Sequence, residues 1–200
     1  MPGPDLISQV EVLGSSVMPT GNVLLGTREA GSLFFRPPVA EDALSMHALV
    51  EQCGSLDINS PHCYLVLCEH FASTCVIVEV NGGLSAFIAA YIPPDRSDTL
   101  FIWQAAVDAA LRGHGVAKRM IRHLLSRRNL KRVRFIEAMI SPSDQASHSL
   151  FQALANECNS DMQETRRFSS AIFGKDDREP VDLIRVGPID SVNKTLIGRK

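Results

Sequence analysis

The chain has 200 residues but only one tryptophan and two tyrosines, and aromatic residues make up 6 % of it. It has no apolar run near the ~18 residues that a membrane-crossing helix requires, so no such helix is expected. Met1 to Gln9 lacks both a basic start and an apolar stretch, which predicts no signal peptide. Neither sign of charge is in excess: 20 Lys+Arg face 22 Asp+Glu, a formal net charge of -2. That balance argues against a dedicated nucleic-acid or membrane-surface binder. Five cysteines are present, Cys53, Cys63, Cys68, Cys75 and Cys158, without a Cys-x-x-Cys pair. The odd count and the missing ligand pairs predict reduced thiols in a cytoplasmic protein and no metal site. Internal repeats and low-complexity blocks are absent, and the length suits one domain with tails.

Residues 1–31 hold glycines without a sustained period and read as a flexible N-terminal extension. Leu33 to Arg36 reads as a short strand, and Ala40 to Cys53 as a helix with Ala43, Met46, Val50 and Cys53 along one stripe and Gly54 as its stop. Pro61 suits the first turn of a helix reaching Phe71. Cys75 to Val80 and Leu84 to Ile92 flank Asn81-Gly82, a strong hairpin pair. A strand over Thr99 to Val107 follows, and then an amphipathic helix from Gly115 to Ser126. Val133 to Ile140 reads as a strand, and Ser143 as the cap of a helix ending near Asn156. Phe168 to Phe173 and Val181 to Val186 are predicted closing strands. Residues 32–188 would then form one α/β domain, with an α+β mixed sheet antiparallel in its middle and one βαβ crossover, and 189–200 a flexible tail.

The most informative stretch joins Ala105-Ala106-Val107 to Arg112-Gly113-His114-Gly115-Val116-Ala117. A strand enters a glycine-rich turn, and the turn opens a basic helix. Unpaired N–H groups at a helix start, with the positive end of its dipole, form an anion site. The two glycines let a phosphate approach the backbone, which suits a nucleotide-type cofactor. A plain tight turn is the alternative reading. Lys118 stands where a dinucleotide fingerprint has its third glycine, and no Gly-Lys-Ser/Thr marks a P-loop.

Arg112 to Ala117 resembles the pyrophosphate turn of the GNAT acetyltransferase superfamily. Further segments resemble one family within it, the L-2,4-diaminobutyrate acetyltransferases of ectoine biosynthesis. These are Leu56 to Ser60, Tyr64 to Ala72, Phe101 to Gln104, Ser141 to Ser147 and Arg185 to Pro188. The resemblance implies a GNAT-type fold, mostly antiparallel, with a βαβ acetyl-CoA-binding unit. It implies acetyl-CoA as co-substrate, a homodimer, and transfer of acetyl to the Nγ amine of L-2,4-diaminobutyrate by direct attack. It also implies that the strand before the turn is bulged, that the backbone of Val107 pairs with the pantetheine arm, and that amides over Ala105 to Val107 polarise the thioester carbonyl. Asp144 stands where the family has Asn, His62 where it has Tyr, and Arg178 where it has His.

Asp57 is the candidate for a substrate ammonium, or else it caps the following helix. Asn59 orients the substrate or binds its own backbone. Trp103 walls the pocket, with a core role as the alternative. Three residues are candidates for the base, His62, Glu137 and Glu179, and no spacing decides among them. A covalent acyl-cysteine route is disfavoured because no His-carboxylate pair stands with any cysteine. The basic group Arg127-Arg128 and Lys131-Arg132 reads as a solvated helix end. Two rival readings are another small-amine or amino-acid N-acetyltransferase, and a catalytically weak acyl-CoA-binding module.

Overall fold

Asn81 and Gly82 both adopt positive φ, 51° and 85°, the pair of values a type I′ hairpin needs. The computed structural model describes residues 31–54, 56, 58–169 and 179–190. The hairpin joins β2 (Val76–Val80) to β3 (Gly83–Tyr91), which continues antiparallel into β4 (Thr99–Val107). The remaining strands are β1 (Phe34–Arg36), β5 (Phe135–Ile140), β6 (Asp161–Phe168) and β7 (Val181–Gly187). They form one seven-stranded sheet in the order β1-β2-β3-β4-β5-β7-β6, and β4–β5 is its one parallel pair among the described residues. Four helices cover it: α1 (Ala43–Cys53), α2 (Pro61–His70), α3 (Val116–Ser126) and α4 (Gln145–Cys158).

The sheet has a core on each face. Val116, Met120, Ile121 and Leu124 of α3, with Phe151, Leu154 and Ala155 of α4, pack on Leu100, Ile102, Ile136 and Ile184. On the other face Met46 and Val50 of α1, with Tyr64 and Leu67 of α2, pack on Ile77, Phe87, Ala89 and Ala106. The period in the α3 sequence therefore reports a real buried stripe.

Expectations about the closing strands and the α4 cap need correction. Asp161 to Phe168 is a strand, although its sequence is polar on both faces. It is the last strand in the sheet order, mostly exposed, so it carries no alternating apolar signal. Of the strand expected over Phe168 to Phe173, Phe168 closes β6 and residues 170–173 lie outside the described residues. The cap of α4 is Asp144, not Ser143: its Oδ1 accepts the Ser147 N–H at 3.0 Å. Either residue type caps a helix, and the backbone path alone selects one.

The expected extension over residues 1–31 lies outside the described residues except for Gly31, whose N–H donates to Asn81 Oδ1 at 3.1 Å. Ile189, assigned by sequence to the tail, is buried in the core and donates its N–H to Arg134 O at 2.7 Å. Arg127 is also no free helix end. Its Nη1 donates to the carbonyls of Ser73 at 3.0 Å and Cys75 at 2.7 Å, clamping the loop before β2.

Candidate active site

The two halves of β4 have different neighbours. Thr99 to Ile102 pair with Phe135 to Ala138 of β5, and of these Phe101 and Ile102 also pair with Tyr91 and Ala90 of β3 on the other side. Beyond Ile102 the pairing with β5 ends, while pairing with β3 continues to Val107. The register with β3 shifts at this point: Ala90 faces Ile102, but Ala89 faces Gln104, so Trp103 is the extra residue of a bulge. The bulge inverts the alternation. Leu100 and Ile102 face α3 and α4 before it, and Ala105 and Val107 lean on that same core after it.

This inversion fixes the direction of the backbone groups. Asp108 N–H donates to Ser85 O in the β3 direction at 2.8 Å. By antiparallel alternation, Ala105 and Val107 turn their N–H and C=O groups to the opposite edge, which β5 has left. The Val107 carbonyl is already held by Arg112 Nε at 3.0 Å. Its N–H and that of Ala105 face the gap between the diverging parallel strands.

The turn follows directly. Gly113 and Gly115 have φ of 78° and 70°, a left-handed backbone that side chains resist. A Cβ on either would meet nothing within 4 Å, so both glycines border open space. Gly115 is the N-cap of α3 and has no side chain to fill the cap. Arg119 N–H makes a helical bond to Gly115 O at 3.0 Å, whereas the N–H groups of Val116, Ala117 and Lys118 have no acceptor within the helix. Three donors and the helix dipole therefore point at the open space. His114 Nδ1 lies 2.9 Å from Arg112 O; a carbonyl only accepts, so Nδ1 carries a proton. Val116 is buried, and Ala117 half-buried, beneath the turn.

Since β4 and β5 are parallel, the turn after β5 opens at the same end. Asp144 caps α4 there, and Glu179 comes alongside, accepting from Ser143 Oγ at 2.7 Å. The strand amides, the Arg112–Ala117 turn, Asp144 and Glu179 thus share one end of the sheet. Trp103 stands at the bulge, 38 % exposed. Asp57 lies outside the described residues, as does Arg178. His62 is exposed in the first turn of α2.

Glu137 sits apart from that end, in register with Phe101 and fully buried. One carboxylate oxygen accepts from Arg96 Nη1 at 2.5 Å and the other from Arg185 Nη1. The Arg185 guanidinium in turn lies over the Phe135 ring, 3.7 Å from its centroid. Both carboxylate oxygens are committed to guanidinium groups, the arrangement of an ion-pair hub.

Asn59 is bound to Tyr64, whose side chain is fully buried and whose hydroxyl donates to Gln104 Oε1 at 2.9 Å. Burial outweighs these bonds and raises the Tyr64 pKa, so the phenol stays protonated. Burial likewise pushes the thiols of Cys68 and Cys75 up to about 11, which leaves them protonated and poor nucleophiles. All five cysteines are free.

Sequence reasoning missed the partners. Arg185, Tyr64 and Gln104 stand in quoted stretches and Arg96 in the loop before β4, but only the tertiary fold brings each to its partner. Lys118 and Arg122 of α3 both bond Glu157 of α4, at 3.2 and 2.6 Å, and no spacing announces that link.

Residues 43–155 match the acetyltransferase (GNAT) family. The chain is 42 % identical over 154 residues to an L-2,4-diaminobutyric acid acetyltransferase of Bordetella parapertussis, covering 76 % of this chain and 83 % of that protein. A protein of the same description from Halalkalibacterium halodurans is 41 % identical, over 76 % of this chain and 80 % of its own length. Among solved structures, the diaminobutyrate acetyltransferase EctA of Paenibacillus lautus, in complex with its substrate L-2,4-diaminobutyric acid and coenzyme A, is similar. It superposes with a TM-score of 0.78 at 36 % identity, covering 80 % of this chain and 98 % of that one. The Escherichia coli ribosomal-protein-S18-alanine N-acetyltransferase shares the fold, with a TM-score of 0.58 at 19 % identity over 80 % of this chain and 95 % of its own.

Proposed function

The chain belongs to the GNAT acetyltransferase family, within its L-2,4-diaminobutyric acid acetyltransferases, and on that premise we propose that it moves acetyl from acetyl-CoA to the Nγ amine of L-2,4-diaminobutyrate, a step of ectoine biosynthesis. The observation that carries this reading is the open β4 edge leading into a glycine turn, in a chain 42 % identical to such an enzyme.

The residues present suit acetyl-CoA. The N–H groups of Val116, Ala117 and Lys118 offer donors for the diphosphate, with room left by Gly113 and Gly115. The outward backbone of Val107 suits an amide-rich arm lying along the strand. The Ala105 N–H supplies a donor where a thioester oxygen gains charge during attack. Arg112 braces this edge through Val107 O. Asp144 spends one carboxylate oxygen on the helix cap, so any contact to the arm falls to the other oxygen or to its backbone.

Transfer is direct, in a ternary complex. The protonated thiols of Cys68 and Cys75 fit that route better than a cysteine intermediate. The thiolate of coenzyme A leaves without needing a strong acid, since a thiol pKa is about 8.5. Phe151, buried in α4, offers no proton. Asp57, Asn59 and Trp103 form the proposed amine site. Of the base candidates, Glu137 is saturated by two guanidinium groups, whereas His62 and Glu179 are exposed and able to pass a proton to water. The five free cysteines suit the cytoplasm, and the family resemblance supports a homodimer.

The test is turnover. Purified protein is given acetyl-CoA with diaminobutyrate, ornithine or lysine, and released thiol is followed. Preference for diaminobutyrate is expected. Equal rates on all three amines would favour a broader N-acetyltransferase, and binding of acetyl-CoA without turnover would favour a binding module. Asp57→Ala is expected to raise KM for the amine about tenfold and leave that for acetyl-CoA unchanged.

A further inference from the structure

The Tyr64 hydroxyl is a polar group at the centre of an apolar core. The side chain has no exposure and packs among Met46, Val50, Leu67 and Phe87. An apolar core has no use for a phenol over a phenyl ring unless the hydroxyl is bonded, because an unpaired buried hydroxyl is costly. Here the hydroxyl joins two segments far apart in sequence. It donates to Gln104 Oε1 at 2.9 Å, and it is bonded by the side chain and the backbone of Asn59.

Both partners sit at critical places. Gln104 follows the bulge residue Trp103 and precedes Ala105, so it lies where β4 changes its alternation and turns its amides to the open edge. Asn59 belongs to the loop leading into α2. Tyr64 itself has no solvent exposure, and therefore touches no reacting atom.

We propose that Tyr64 is a positioning residue that fixes the span between the Asn59 loop and the bulged half of β4, and through that span sets the chain length of the accepted amine. The inference rests on the proposed acetylation of diaminobutyrate. In direct transfer the far end of the diamine is held by the pocket, and its terminal nitrogen must meet a carbonyl placed by the β4 backbone. The distance between those two anchor points selects one chain length. Ornithine is longer than diaminobutyrate by one methylene, a difference that pockets discriminate by about 10–200-fold. A span held by bonded groups on both sides enforces this choice; a span held by apolar packing alone enforces it less.

The test compares kcat/KM for diaminobutyrate and for ornithine in the wild type, Tyr64→Phe, Gln104→Met and the double variant. Acetyl-CoA affinity is measured by titration and Tm by calorimetry on the same samples. Tyr64→Phe keeps the ring and the core, so a folded protein is expected. The ratio of diaminobutyrate to ornithine should fall about tenfold, mainly through a higher KM for diaminobutyrate, with acetyl-CoA affinity held within twofold. Gln104→Met should move the ratio the same way, and the double variant little further, because both remove one link. A ratio unchanged within twofold beside a lowered Tm would overturn the proposal and leave Tyr64 a packing residue. Independent, additive losses from the two variants would overturn it as well. Failure of the wild type to acetylate diaminobutyrate would instead remove the functional reading, and that result is visible before any variant is made.

Discussion

Gly115 and Gly187 both hold a positive φ, 70° and 147°, yet for opposite reasons. Gly115 opens α3, and a Cβ there would meet nothing within 4 Å. Gly187 ends β7, and a Cβ there would lie 2.5 Å from Phe135 Cδ1 and 2.6 Å from Arg134 O. The first glycine leaves space that a ligand needs. The second removes space so that β7 can close against the start of β5. One residue type therefore serves the site at one place and the scaffold at the other, and the two roles are separable by experiment.

The largest effect is expected at the scaffold. Gly187→Ala drives a methyl group into a ring and a carbonyl and should cost about 3 kcal/mol, the upper range for overpacking. Thermal or urea unfolding reads this, while the protein that remains folded should bind acetyl-CoA normally. Weakened binding by that folded fraction would break the separation. Gly115→Val is the mirror experiment. The protein should fold, with acetyl-CoA affinity reduced about 100-fold, because a β-branched side chain strains the left-handed turn and fills the approach to the bare amides. Unchanged affinity would show that the turn is not the anion site.

Glu137→Gln sharpens the scaffold side. The amide leaves Arg96 and Arg185 facing a neutral group, and about 2 kcal/mol of stability should be lost, below the range for a fully buried pair because Arg96 is half-exposed. Its pH–rate profile should keep the wild-type shape, whereas loss of the acid limb, where rate rises as a base loses its proton, would identify Glu137 as the base. The smallest effect is at the link between α3 and α4. Hydrogen bonding by Arg122 and Lys118 holds the Glu157 carboxyl below its ordinary value of 4.5. A lowered carboxylate pKa stabilises the fold fully above the unfolded value and loses that contribution as pH falls through the folded one. Glu157→Gln should therefore lower stability at pH 7 by about 0.5 kcal/mol or less and converge with the wild type in acid. A difference that persists at low pH would assign the effect to packing.

Both core faces were readable as stripes, since Met46 and Val50, or Met120 and Leu124, recur at helical spacing. The hairpin at Asn81-Gly82 and the glycine turn were readable because few residues tolerate their φ values. The edge strand β6 was not readable: neither of its faces is apolar, and its pairing with β7 is a long-range fact. The cap at Asp144 rather than Ser143 turned on one step of backbone path.

The amino-acid order alone determined most of the segments, the place of the glycine turn and the family resemblance, because those rest on local conformational preference and on runs of matching residues. Only the tertiary structure decided that Trp103 is the bulge residue, that the Ala105 and Val107 backbones face a gap, that Glu137 is locked between Arg96 and Arg185, and that Tyr64 ties Asn59 to Gln104. Each of these depends on strand register and on which segments meet across the sheet. Register is set by the summed packing of both faces, and no short stretch of sequence carries that sum.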